Sequence, residues 1–288
     1  MPEQLFFESA DAKVAAHLYL PEDDAKVPGI VMCHGFAGVK ELLLPNFAQR
    51  FAANGYAALT FDYRGFGQSG GEPGRLLPSQ QIEDIINALA FMRSCPQVDS
   101  DRIALWGTSF GGANVIFAAV QDGNVRSISV QLTFGDGQRV VTHGMSEQEK
   151  SNLYALIEKM EARKARSGKE MLVPIHKVLS DPQSKAFYDS HVEQFPSLKI
   201  KIPMLTVAET IKHKPELVIG SLNVPILITA AGRDGVNPAQ ESKLLFDKAN
   251  EPKELFVIED ATHYEVYTGA YFEQAIAKQL AWFDATLG

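Results

Sequence analysis

At 288 residues, 45% apolar and 22% charged, the chain is long enough for one large hydrophobic core or two small ones. A net charge of −8 argues against a nucleic-acid partner, and the one basic run, 159–166, carries Glu161 within it and reads as a solvated helix face. No apolar run approaches the ~20 residues that span a bilayer, and the start Met1-Pro2-Glu3-Gln4 has no basic, then apolar, leader, so no membrane partner is expected and the expected location is the cytoplasm.

In chain order, Val14 to Leu20 alternates weakly and stops at Pro21, as a hairpin or edge strand would. Cys33 ends the next strand, Gly29 to Cys33, and Cys95 precedes a proline; both read as buried apolar residues rather than a disulfide or a metal pair. A helix then runs from Leu42 to Asn54, a strand from Ala57 to Phe61 and a helix from Gln80 to Arg93. The strand Ile103 to Trp106, the helix Phe110 to Val120 and the strand Ile128 to Leu132 follow. After 135–221 the pattern resumes with Pro225 to Ala230, Ala239 to Ala249, Glu254 to Ile258 and Tyr271 to Leu287. Short apolar strands alternating with amphipathic helices imply an α/β fold, a doubly wound, mostly parallel sheet covered on both faces.

The stretch 135–221 breaks that rhythm. Ser146 and Glu149 form a capping box, and Leu153, Leu156, Ile157 and Met160 follow on one helix face. A second helix starts after Asp181-Pro182 and a third near Pro203. The expected organisation is a core of 1–134 and 222–288 with a helical cap, 135–221, inserted into it.

Gly107-Thr108-Ser109-Phe110-Gly111 lies directly between a strand and a helix. A serine hydroxyl is a poor nucleophile and must be exposed, held still and paired with a base. A sharp strand-to-helix turn exposes and holds it, and the flanking glycines leave room for the strained backbone. The second G-x-S-x-G match, at Ser69, runs into Gly70-Gly71-Glu72-Pro73-Gly74, which cannot propagate a helix, so Ser69 reads as loop. Open parallel sheets present their chemistry at the carboxyl ends of strands, which selects among seven histidines. His263 follows the last strand and comes after the serine in the order serine, acid, histidine, so it is the expected general base. Asp234 is the expected orienting acid; Asp260 competes, but it shares a strand end with His263. Asp62 and Asp136 read as structural, and Arg233 as a loop ion pair. The backbone N–H groups of Phe36 and Phe110 are the expected oxyanion donors.

With these residues in hand the chain resembles the α/β-hydrolase fold superfamily over about 25–134 and 224–288, through His34-Gly35-Phe36, Asp62 to Ser69, the Ser109 turn, Gly232-Arg233-Asp234 and Thr262-His263. It looks most like bacterial dienelactone-hydrolase-like or X-Pro-peptidase-like hydrolases, with serine where dienelactone hydrolases usually carry cysteine. The resemblance implies that Asp62 to Ser69 is a structural loop.

The expected reaction is hydrolysis of a carboxylic ester or related acyl bond of a small apolar or aromatic substrate through an acyl-enzyme. Amide, thioester or C–C bond hydrolysis, acyl transfer to another acceptor and non-catalytic ligand binding stay open. His34, Tyr154, Met160, Phe187 and Tyr188 are candidate substrate contacts, against the alternative that the cap residues among them only pack the cap. His191 and His213 read as exposed surface, with substrate contact as the alternative. No cofactor and no metal is required. The expected partner is a small-molecule acyl substrate, and a homodimer is the assembly considered.

Overall fold

The computed structural model describes residues 2–22 and 25–288. Strand β1 (Glu3–Ser9) pairs antiparallel with β2 (Ala12–Tyr19), and β2 pairs antiparallel with β4 (Ala57–Phe61). From there the sheet is parallel through β3 (Val27–Cys33), β5 (Val98–Thr108), β6 (Ser127–Gln131), β9 (Ile226–Ala231) and β10 (Lys253–Ile258). The order β1-β2-β4-β3-β5-β6-β9-β10 makes eight strands. The early run is therefore the inner strand of a hairpin, one of the two readings expected, and not the sheet edge. β1 is, and its Glu-Gln-Leu-Phe-Phe-Glu-Ser sequence buries only Phe7 and Ser9, too little apolar pattern to announce a strand.

Strand residues alternate between two cores. Val31 and Leu105 face α2 (Pro78–Ser94) and α3 (Phe110–Asp122), while Ile30, Met32, Ala104 and Trp106 face α1 (Leu44–Ala53) and α9 (Gly269–Leu287). Helix α8 (Ala239–Lys248) adds Leu245 to the first face. A sheet buried on both faces explains why its central strands are continuous apolar runs. The doubly wound α/β architecture is the one expected.

Between β6 and β9 lie α4 (Gly137–Val141), α5 (Glu147–Ser167), α6 (Pro182–His191) and α7 (Thr206–Lys212). Ser146 and Glu149 form the expected capping box, and Asp181 caps α6 by accepting from Ser184 N at 2.8 Å. The sequence did not announce a short antiparallel ribbon, β7 (Leu172–Pro174) with β8 (Lys201–Pro203). Three residues per strand give no period to read. Ile157, Leu205, Val207 and Ala208 make a separate small cluster, whereas Ile175, Leu198 and Ile202 join the core of the α2–α3 face. Among the described residues no helix is long and apolar enough to cross a membrane.

Candidate active site

Ser109 sits between β5 and α3 with φ 54° and ψ −122°, a left-handed conformation that costs a non-glycine residue on the order of 1–3 kcal/mol. Ser109 N donates to Gln131 O at 2.9 Å and Gly112 N donates to Ser109 O at 3.0 Å, holding the turn from both sides. The glycines are dictated by contact. A Cβ on Gly111 would lie 2.3 Å from His34 O, and one on Gly107 2.7 Å from Gly111 O. One on Gly112 would meet Thr133 Cβ at 2.8 Å, so α3 packs tightly on the sheet. Ser69, by contrast, is a loop staple: its Oγ donates to Asp62 O at 2.6 Å and accepts from Ala15 N at 2.9 Å.

Asp234 leaves the end of β9 and His263 follows β10, and the fold brings them together. His263 Nδ1 donates to Asp234 Oδ2 at 2.7 Å with both side chains almost fully buried. Asp234 Oδ1 accepts from Val236 N and Asn237 N, each at 2.8 Å, so the carboxylate has donors on both oxygens. Asp260 is 70% exposed and pairs with Arg233 at 2.9 Å, which removes it from competition. Ser109 and His263 line one cavity. The Ser109 hydroxyl, however, is bonded to Asn237 Nδ2 at 3.3 Å, and no hydrogen bond joins it to His263. Asn237 also donates to Leu132 O at 2.7 Å. Nothing in the sequence near Pro238 singles Asn237 out, because its partners are 105 and 128 residues away.

Phe36 N and Phe110 N donate to no acceptor among the described residues. Phe110 opens α3, where the helix dipole adds partial positive charge. Phe36 lies in the β3–α1 loop, which carries two strained residues, Ala37 at φ 52° and Leu43 at φ 65°. Two buried braces hold that loop. His34 Nε2 donates to Leu42 O at 2.7 Å across its ends. Asp62 accepts from Lys40 N at 2.7 Å and from Lys40 Nζ at 2.9 Å. Asp62 is thus structural, and so is Asp136, which caps α4 by accepting from Gln138 N at 2.7 Å. Burial pushes the His34 imidazole below its ordinary pKa, favouring the neutral ring.

The candidate substrate contacts divide. His34, Phe187 and Tyr188 line the cavity shared by Ser109 and His263, together with Tyr264 and Tyr267, which sequence reasoning passed over beside His263. Tyr154 does not: it faces a surface groove with Lys150 and Glu158 and accepts from Gln138 Nε2 at 3.0 Å. Met160 does not either; it packs against the small cluster of Ile157 and Leu205. Helical spacing shows which residues share a face but not what covers it. His213 is buried rather than exposed, stacked on Phe110 and Phe117 at 5.4 and 4.8 Å, and burial lowers its pKa to about 4. His191 is half-buried against Phe187 at 4.1 Å.

The family model described as serine aminopeptidase S33 (Hydrolase_4) matches residues 26–266. An uncharacterized 31.7 kDa protein of the traX-finO intergenic region of Escherichia coli is 45% identical, covering 95% of this chain and 96% of that one. The quorum-quenching protein AidA of Acinetobacter baumannii is 31% identical, over 97% of this chain and 93% of its own. The thiohydrolase aneE of Aspergillus aculeatus is 33% identical, over 96% and 90%. Among solved structures, DcsB in complex with its substrate analogue superposes with a TM-score of 0.88 at 21% identity, covering 100% of this chain and 99% of that one.

Proposed function

Since the chain belongs to the serine aminopeptidase S33 (Hydrolase_4) family and is a serine hydrolase of the α/β-hydrolase fold, we propose that Ser109, His263 and Asp234 cleave a carboxylic ester or related acyl bond of a small, apolar substrate. The observation that carries this reading is the buried 2.7 Å His263–Asp234 pair, whose imidazole shares a cavity with a serine on a strained turn.

Rotation about the Ser109 Cα–Cβ bond frees the hydroxyl from Asn237, whose amide keeps its shorter bond to Leu132 O. His263 Nε2 takes the serine proton as Oγ attacks the carbonyl carbon, and Asp234 holds the Nδ1–H tautomer and stabilises imidazolium. The N–H groups of Phe36 and Phe110 receive the oxyanion; losing one such donor typically costs ~3 kcal/mol of transition-state stabilisation. The leaving group departs with the proton from His263, and water, activated by the same imidazole, releases the acid. A thioester as acyl donor is a second reading, supported by the 33% identity to a relative named as a thiohydrolase.

Fluorophosphonate labelling followed by peptide identification tests the assignment. Ser109 should be the modified residue. Ser109→Ala should escape labelling and lose at least about a thousand-fold in kcat, with an unchanged thermal midpoint. Modification elsewhere, or activity within tenfold in that variant, would overturn it.

A further inference from the structure

Ser109 stands where two unlike cavities meet. They share Phe36, Ser109, Leu179 and Val236 as walls, but one has a volume of about 70 Å³ and the other about 460 Å³. His263 lines the small one and not the large one. That asymmetry bears on which half of a substrate goes where. With the oxyanion of a tetrahedral adduct turned toward Phe36 N and Phe110 N, two substituents remain: the acyl chain and the leaving group. The leaving atom must collect its proton from His263 as its bond to carbon breaks, so it must lie on the imidazole side.

We propose that the small chamber receives the leaving group, and then the incoming acceptor, while the large cavity holds the acyl chain. This deepens, and rests on, the reading of Ser109 as nucleophile. In the acylation step the Ser109 Oγ–carbon bond forms and the carbon–oxygen (or carbon–sulfur) bond breaks, and the serine proton leaves on the alcohol or thiol by way of His263. Water then adds to the acyl carbon from the same side, returns its proton to Ser109 through His263, and departs as part of a carboxylic acid.

The walls give each half its chemistry. The small chamber is lined by rings, among them His34, His176, Phe187, Tyr188, Tyr264 and Tyr267, and among the described residues by no carboxylate, lysine or arginine. Burial holds the Tyr264 and Tyr267 phenols neutral by raising their pKa values. One water needs roughly 10–15 Å³, so the chamber has room for on the order of five non-hydrogen atoms. A short, uncharged alcohol or thiol fits it; a charged carrier headgroup does not. The large cavity presents Phe134, Val140, Val141, Leu153, Met204 and Val207, and its charged walls are the exposed Lys177 and the half-buried Asp181, whose carboxylate already caps α6. Its volume suits an apolar chain of medium length. The inferred substrate class is thus an ester or thioester joining a medium-length apolar acyl group to a small uncharged alcohol or thiol.

Two substrate series read this out as kcat/KM: methyl esters from acetate to laurate, and laurate esters from methanol through benzyl alcohol to a coenzyme A thioester. Activity should rise along the first series by up to about fourfold per methylene, until the cavity is full, and fall along the second. Met204→Trp should shorten the preferred acyl chain while leaving the order of alcohols alone. Tyr188→Ala should raise the bulky-alcohol esters about tenfold while leaving the order of acyl lengths alone. If Met204→Trp does not fold, Val140→Phe narrows the same cavity. Variants that exchange these effects, or move neither preference while Ser109 still takes a fluorophosphonate, overturn the chamber assignment alone. Wild-type protein that takes no label at Ser109 overturns the nucleophile reading and this one with it.

Discussion

His213 shows what one buried ring does to the molecule. It is packed by Phe110, Phe117 and Phe134, and its Nε2 finds no hydrogen-bond partner. Its folded pKa is about 4, below the ordinary 6.5, so between those values the unfolded chain binds a proton that the folded chain does not. Stability is therefore complete above pH 6.5 and falls as pH drops toward 4, by up to about 1.4 kcal/mol per unit. His213→Phe should remove that loss, raising stability by about 2 kcal/mol more at pH 5 than at pH 8. Calorimetry at both pH values checks it, and an equal gain at each would refute the titration account. The sequence could not place this ring, because nothing local says that three phenylalanines from two other segments close over it. Asp234 was legible for the opposite reason: the turn after an apolar strand fixes where its side chain begins, and only Asp260 had to be set aside. The hydrogen bond that Ser109 makes in the structure was not legible, since Asn237 lies in a turn whose own composition explains it.

At the scale of the element, α3 and its entrance carry the most information per residue. Strand, glycine, serine, glycine and helix form a local pattern, and local patterns survive without knowledge of neighbours. β1, β7 and β8 were illegible because edge and ribbon strands bury too few side chains to impose a period. Helix α5 was visible through its capping box, yet its burial is slight, only Ile157 being buried, so its spacing could not tell cavity-lining residues from packing ones at Tyr154 and Met160. Gly111 tests how tightly the entrance is set. Alanine there would put Cβ 2.3 Å from His34 O and 2.4 Å from Cys33 O, backbone atoms that cannot swing aside. Gly111→Ala should push α3 off the end of β3 and lower kcat about a hundredfold by displacing Ser109 and Phe110 N. It should also destabilise by about 1–3 kcal/mol. Steady-state kinetics beside thermal melting separates the two effects; wild-type kcat would show that the helix start tolerates the shift.

Across the whole molecule a polar thread runs through the sheet beneath the site. Trp106 Nε1 donates to Gln279 Oε1 at 2.9 Å, and Gln279 Nε2 donates to Gln131 Oε1 at 2.7 Å. Gln131 Nε2 reaches Thr108 Oγ1 at 3.3 Å, and Thr108 is also hydrogen-bonded to Tyr267. The C-terminal helix is thereby tied to the residue before the nucleophile and to the loop after His263. Gln279→Leu would strand the buried Trp106 N–H and Gln131 carbonyl, so it should cost about 1–3 kcal/mol. In denaturant titration the midpoint should fall with the slope unchanged; no shift would mean that water replaces the amide. Helix α6 makes a matching connection above the sheet. Gln183 accepts from His263 N at 3.3 Å and donates to Arg233 O at 3.3 Å, Ser184 is bonded to the Tyr264 hydroxyl at 2.9 Å, and Phe187 lies flat on Tyr264 at 4.2 Å. The same helix roofs the small chamber. Helix α6 is thus hung on the frame of the machinery it covers, and any displacement of it would also loosen the loops that carry the base and the acid.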